Sequence, residues 1–302
     1  MQAGAAPTID LGHRFEIVSQ LRPDELSRQL VRGDAHDLML DVAVTLVLLP
    51  PDPEPALAEV FEIEAGALTA VGAHPHVPTL YDQLELPTGH QALVLQRHVR
   101  PGWPSTSPMD ARAAVAIAVK LADALEAAHR VGQLHTAIEP NAIGRSAVGQ
   151  PLLCGFAVRQ DATEPRVLHE LTAYTPAELL LGEAPTPATD VYGLASVLYE
   201  LLSGHAAYRG YDGESPAALG LRILHDPVPR LQELELPIEL IDVLDWALAS
   251  DPALRPPTAA WLAEELGRIE RMQDWGRTAP SAPPPAVGAA PDRWTQPRHR
   301  RD

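Results

Sequence analysis

The sequence predicts an α+β fold in two lobes: a small β-rich lobe with one main helix, then a larger helical lobe. Three observations lead there. Short apolar and β-branched runs separated by polar turns fill most of the first hundred residues; segments of helical periodicity fill about 110–274; and the proline-rich stretch Pro101–Pro108 divides them. At 302 residues the chain can bury one large core, or a two-lobed domain plus a tail.

Residues 1–12 read as a flexible N-terminus and 13–100 as the small lobe. Phe15–Val18 and Val42–Val47 are strands, the second rich in β-branched residues. PPDPEP at 50–55 breaks the chain. Leu57, Val60, Phe61, Glu64 and Leu68 then recur at helical spacing, so about 56–71 is an amphipathic helix. His74-Pro75-His76 ends it, and Val77–Leu86 and Gln91–Val99 form a strand pair around the turn Pro87-Thr88-Gly89.

The helical lobe occupies 101–275. Asp110–Val131 is a long Ala-rich helix with Asp110 placed to cap its N-terminus. Pro151–Cys154 is a short strand. Asp190–Ser203 is apolar on most sides, the mark of a buried central helix, and helices follow at about 216–225, 237–249 and 258–274. Residues 276–302, rich in Pro, Ala and Arg, lack the apolar content to pack and are expected to be disordered.

Apolar residues make up 46% of the chain but aromatics only 5%, so Leu, Val, Ile and Ala must build the core. A net charge of −17 argues against nucleic acid or an anionic membrane as partner. The single cysteine, Cys154, excludes an internal disulfide framework and reads as a small buried hydrophobe. No apolar run approaches the roughly 20 residues that span a bilayer, and the N-terminus lacks a secretory signal pattern, so the expected compartment is cytoplasmic. The 12 histidines show no zinc spacing, and no Gly-x-Ser-x-Gly elbow supports a hydrolase. Lys120 is the only lysine; with 31 prolines and abundant Ala, this suits a high-GC bacterial composition.

The most informative segment is His135-Thr136-Ala137-Ile138-Glu139-Pro140-Asn141-Ala142-Ile143. With it stand Asp190-Val191-Tyr192-Gly193-Leu194 followed by Leu198-Tyr199-Glu200-Leu201-Leu202-Ser203-Gly204, then Asp251-Pro252-Ala253-Leu254-Arg255-Pro256, Pro176-Ala177-Glu178 and His74-Pro75-His76-Val77. In this order and spacing they resemble the bacterial eukaryotic-type Ser/Thr protein kinase family over about residues 13–272. The resemblance implies a protein-kinase-like bilobal fold. It also implies that Asp190 ties its helix to the catalytic-loop backbone, that Arg255 pairs with Glu178, and that His135, Phe156 and Glu64 belong to the framework.

The same alignment removes the chemistry. In kinases the Asp of His-Arg-Asp orients the attacking hydroxyl and the following Asn holds a metal ion. Here those positions are Ala137 and Ala142, and a methyl group neither accepts a proton nor ligates magnesium. Asn141 lies one place away, but Pro140 fixes the register. Glu139 inverts the charge of a phosphate-contacting Lys. The strand lysine falls at Thr45, although its usual partner Glu64 remains; without the lysine, Glu64 reads as a solvated helix residue. The metal-binding Asp of Asp-Phe-Gly falls at Gly155. The glycine-loop positions are Arg22, Asp24 and Ser27, in an acidic turn where side chains block and repel phosphate.

The resemblance therefore implies a pseudokinase: a cytoplasmic protein-interaction or regulatory module without phosphoryl transfer or cofactor. Its partner is a protein, for instance an active Ser/Thr kinase. Thr163, Thr172 and Thr175 are candidate phosphoacceptors. Two other readings stay open: a divergent kinase that still binds or uses ATP, and a non-catalytic ligand-sensing switch. The tail reads as a docking segment or as a solubilising extension.

Overall fold

The computed structural model describes residues 9–24, 30–103, 107–156, 171–211 and 213–278. Strands β1 (Phe15–Ile17), β2 (Arg22–Pro23), β3 (Val31–Asp37), β4 (Val42–Leu49), β5 (Leu80–Glu85) and β6 (Gln91–Gln96) form one sheet. Its order is β1-β3-β4-β6-β5, with β2 also paired to β3 and every described pairing antiparallel.

β4 is buried from Val44 to Leu49, so both faces of the sheet are covered. On one face Val44, Leu46 and Leu48 pack with Ala92, Val94 and Phe15, and Ile9 and Leu11 close over them. Residues 9–12 are thus packed against the sheet, not flexible: an apolar face this large must be shielded from water. On the other face Val47, Leu49, Leu93 and Leu95 meet helix α1 (Pro55–Val71) through Leu57, Phe61 and Leu68.

Three details differ from the sequence reading. β3 was hidden by its polar sequence VRGDAHD; every second residue is buried, and pairing on both sides holds it extended. The strand expected over 91–99 ends at Gln96. Strand β7 (His98–Val99) then pairs with β8 (Ile143–Ser146), which pairs with β9 (Pro151–Leu153), forming a second sheet at the junction of the lobes. The central helix begins earlier than Asp190, because Thr186 and Thr189 form a capping box ahead of Pro187.

The helical lobe comprises α2 (Ala111–Arg130), α3 (Ala177–Leu180), α4 (Pro187–Ser203), α5 (Pro216–His225), α6 (Ile238–Ala247) and α7 (Ala259–Met272). Asp110 caps α2 by accepting the Ala113 N–H at 3.1 Å. Every residue of α4 from Thr189 to Leu202 is buried, as its all-round apolar sequence demands. A Cβ at Gly193 would lie 2.9 Å from Ile138, so the missing side chain lets the 135–143 segment rest on α4. Among the described residues no helix is long and apolar enough to cross a membrane.

Candidate functional site

The segment His135–Ile143 is fixed from below by one buried carboxylate. Asp190, in the first turn of α4, accepts the His135 N–H at 2.9 Å, the Thr136 N–H at 2.6 Å and the His129 Nε2–H at 2.8 Å. Thr136 sits in the left-handed region, φ 63°, and this network holds it there. The His135 ring is buried: Nε2–H donates to the Cys154 carbonyl at 2.9 Å, and the ring tilts against Phe156 with centroids 5.0 Å apart. Burial lowers the His135 pKa, with Asp190 opposing, so the ring packs neutral. Ala142 is fully buried, and Gly155 has φ 82°, a conformation that side chains rarely adopt.

A second buried pair braces the helical lobe. Arg255 donates to Glu178 through Nη1 at 2.6 Å and Nη2 at 2.8 Å, with both side chains almost fully buried. Its remaining donors reach the carbonyls of Ala249, Ala188 and Ser250, and the guanidinium lies over the Tyr192 ring.

Between the lobes lies a cleft bounded by the inner sheet face, α1 and the Cys154-Gly155 backbone. Its cavity is about 40 Å³, room for about three waters at ~10–15 Å³ each. The protein's own side chains close it. Arg100 forms an ion pair with Asp24, each only 5% exposed. Arg32 donates from Nη2 to the His98 carbonyl at 2.9 Å. Thr45 is fully buried; its hydroxyl donates to Asp34 at 3.1 Å and accepts the His98 N–H at 3.3 Å.

The electrostatics follow from this crowding. Burial, and then repulsion from Arg100, lowers the Arg32 pKa to about 10. Burial first, with Arg32 and Arg100 adding to it, pushes His98 well below its ordinary value. Burial raises the Cys154 thiol to about 11, so it is not a thiolate near neutrality. Among the described residues no group of three or more His, Cys, Asp or Glu is arranged to hold a metal ion.

Several sequence expectations change here. Asp24 does not sit in a solvated acidic turn; it is buried against Arg100, while Arg22 is exposed on β2. Glu64 is half-buried and lines the cleft, because it shares the inner face of α1 with Phe61. Thr175 is buried and bonded to Thr172, its Oγ1 accepting the Thr172 N–H at 3.2 Å, so it is a turn-forming residue and not an accessible phosphoacceptor. Thr172 is half-buried; Thr163 and Ser27 lie outside the described residues, as does the chain beyond Thr278. Arg32 and Arg100, which fill the cleft, were not anticipated. Arg100 and Asp24 are 76 residues apart, and no local pattern announces such a pair.

Residues of this chain are 38% identical over 240 residues to the serine/threonine-protein kinase PknK of Mycobacterium tuberculosis, and equally to that of Mycobacterium bovis; the match covers 77% of this chain and 22% of the kinase. The serine/threonine-protein kinase PknB of Mycolicibacterium smegmatis is 29% identical over 293 residues, 87% of this chain and 46% of that protein. The chain thus spans about a fifth of one relative's length and under half of the other's. No protein-family profile matches it.

Proposed function

From the premise that the chain has a protein-kinase-like bilobal fold and is a homologue of bacterial eukaryotic-type Ser/Thr protein kinases, we propose that it is a pseudokinase: a module that binds proteins and does not transfer phosphate. One observation carries this reading. The cleft that a kinase would open to a nucleotide holds about 40 Å³, closed by the Arg100–Asp24 ion pair and by Arg32 on the His98 carbonyl. Thr45, Ala137, Ala142 and Gly155 stand where phosphate, hydroxyl and metal would be held. Losing one such group commonly costs orders of magnitude in rate. The groups that brace the fold are intact, namely Asp190 under the loop, His135 on Phe156, and Glu178 with Arg255.

The scaffold then presents its lobes to a partner protein such as an active Ser/Thr kinase. The acidic balance of the chain disfavours nucleic acid. The decisive experiment is a thermal-shift titration with ATP and Mg²⁺ beside a labelled-phosphate assay. A ligand at 100 times its Kd adds about 2.7 kcal/mol. The proposal expects no shift and no transfer. A shift without turnover replaces it with a ligand-sensing switch, and transfer replaces it with a divergent kinase.

A further inference from the structure

Two tryptophans lie together on the surface where α6 meets α7. Trp246, near the end of α6, and Trp261, in the first turn of α7, have ring centroids 5.7 Å apart. Trp246 is 54% exposed and Trp261 partly buried. Ile238, eight residues before Trp246 and about 80° around α6 from it, is also exposed. Along α7 the outward stripe runs Trp261, Glu265, Arg268 and Met272, while Leu262, Leu266 and Ile269 are buried beneath it. Asp242 and Asp245 on α6 and the exposed Glu264 on α7 lie within about a turn of the pair; Arg230 bridges both aspartates and Arg268 pairs with Glu265, which leaves the rim a small negative excess. An exposed aromatic pair with an acidic rim suits a proline-rich segment followed by cations, because polyproline II is already extended and loses little entropy on an aromatic surface.

Such a segment continues directly from α7. Thr278 is tied to Glu270, its N–H donating at 2.9 Å and its hydroxyl at 2.5 Å, and 24 residues follow it. They include Ser281-Ala282-Pro283-Pro284-Pro285-Ala286-Val287 and then Arg293, Arg298, Arg300 and Arg301. Glu270 lies nine residues beyond Trp261 and on the opposite side of the helix. The path back is about 14 Å along the axis and about 16 Å around a helix of ~10 Å diameter, or about 21 Å in all. At ~3.1 Å per residue, about seven residues cover it, which brings Pro283–Pro285 to the tryptophans. We propose that the chain's own segment Ser281–Val287 docks across the Trp246–Trp261 pair, with the arginines after it directed to the acidic rim.

The test uses the full chain with a nitroxide at Ala286→Cys. The single native thiol, Cys154, is buried and does not compete for the label. Indole N–H signals of ¹⁵N-tryptophan protein are recorded with the label oxidised and reduced. The expected result is strong broadening of Trp246 and Trp261, independent of protein concentration and abolished by replacing Pro283, Pro284 and Pro285 with Ser. Unbroadened Trp246 and Trp261 signals overturn the proposal, as does broadening that survives the proline replacement. Broadening found only when labelled ¹⁴N chains are mixed with unlabelled ¹⁵N chains overturns it too, in favour of a second copy.

Discussion

Replacing Arg255 with Met tests whether a buried ion pair, and not nucleotide or metal, holds the helical lobe together. The Arg255 side chain is fully buried and Glu178 is 3% exposed. The guanidinium makes bonds of 2.6 and 2.8 Å to that carboxylate and satisfies three backbone carbonyls at 2.7, 3.1 and 3.1 Å. Its centre lies 4.7 Å from the Tyr192 ring centroid. Arg255→Met fills a similar volume but leaves Glu178 without a counter-ion, which costs about 3–5 kcal/mol. The three carbonyls left without donors push the loss to the upper end of that range. Against a total stability of about 5–15 kcal/mol this is a large fraction, and at about 2–4 °C per kcal/mol it lowers Tm by about 10 °C or more. Urea denaturation and thermal melts of the nucleotide-free protein measure it. The double variant Glu178→Leu/Arg255→Met removes the lone buried charge and recovers the part of the loss that Glu178 causes, while the cost of the three carbonyls remains. If Arg255→Met lies within about 1 kcal/mol of the parent, or the double variant is no more stable than the single one, the ion-pair reasoning is wrong.

Three further outcomes follow from the site. Asp190→Ala strips the acceptor from His135 N–H, Thr136 N–H and His129, at 2.9, 2.6 and 2.8 Å; at about 1–3 kcal/mol for each buried donor left alone, the 135–143 segment loosens, and hydrogen exchange at the two amides accelerates sharply if Asp190 is the tie. His98 and His135 are held neutral by burial, below their ordinary 6.5. The unfolded chain therefore takes up protons that the native one refuses, so stability is unaffected above about pH 6.5 and falls below it, by up to ~1.4 kcal/mol per pH unit for each group. His98→Gln flattens that slope, and an unchanged slope in pH-dependent melts counts against the assignment. Cys154, buried with its thiol raised to about 11, resists aromatic disulfide reagents in the native protein and reacts at once in denaturant; fast native labelling contradicts the closed cleft.

Much of this was legible in the order of residues because it is local. Asp110 as the cap of α2, the turn at Pro87–Gly89, the apolar all-round α4 and the break before the helical lobe are written in neighbours within a few turns of chain. The boundaries that failed are those set from a distance. β6 stops at Gln96 and the chain changes sheets where Thr45, 53 residues away, takes the His98 N–H. Residues 1–12 were read as flexible; Ile9 and Leu11 instead pack on a sheet face whose β4 and β6 residues lie 30 or more positions further on.

The sequence by itself determined the two-lobed frame and which side chains stand at 45, 137, 142 and 155 (Thr, Ala, Ala and Gly), since a side chain's functional groups do not depend on its surroundings. Tertiary structure alone decided the state of the cleft. Asp24 became the buried partner of Arg100 instead of a solvated turn, Glu64 turned into the cleft, and Arg32 settled on the His98 carbonyl. Each of these is an electrostatic choice made on burial, where a charge must find a counter-charge or a hydrogen bond wherever the fold brings one, and no periodicity in the chain encodes which one that will be.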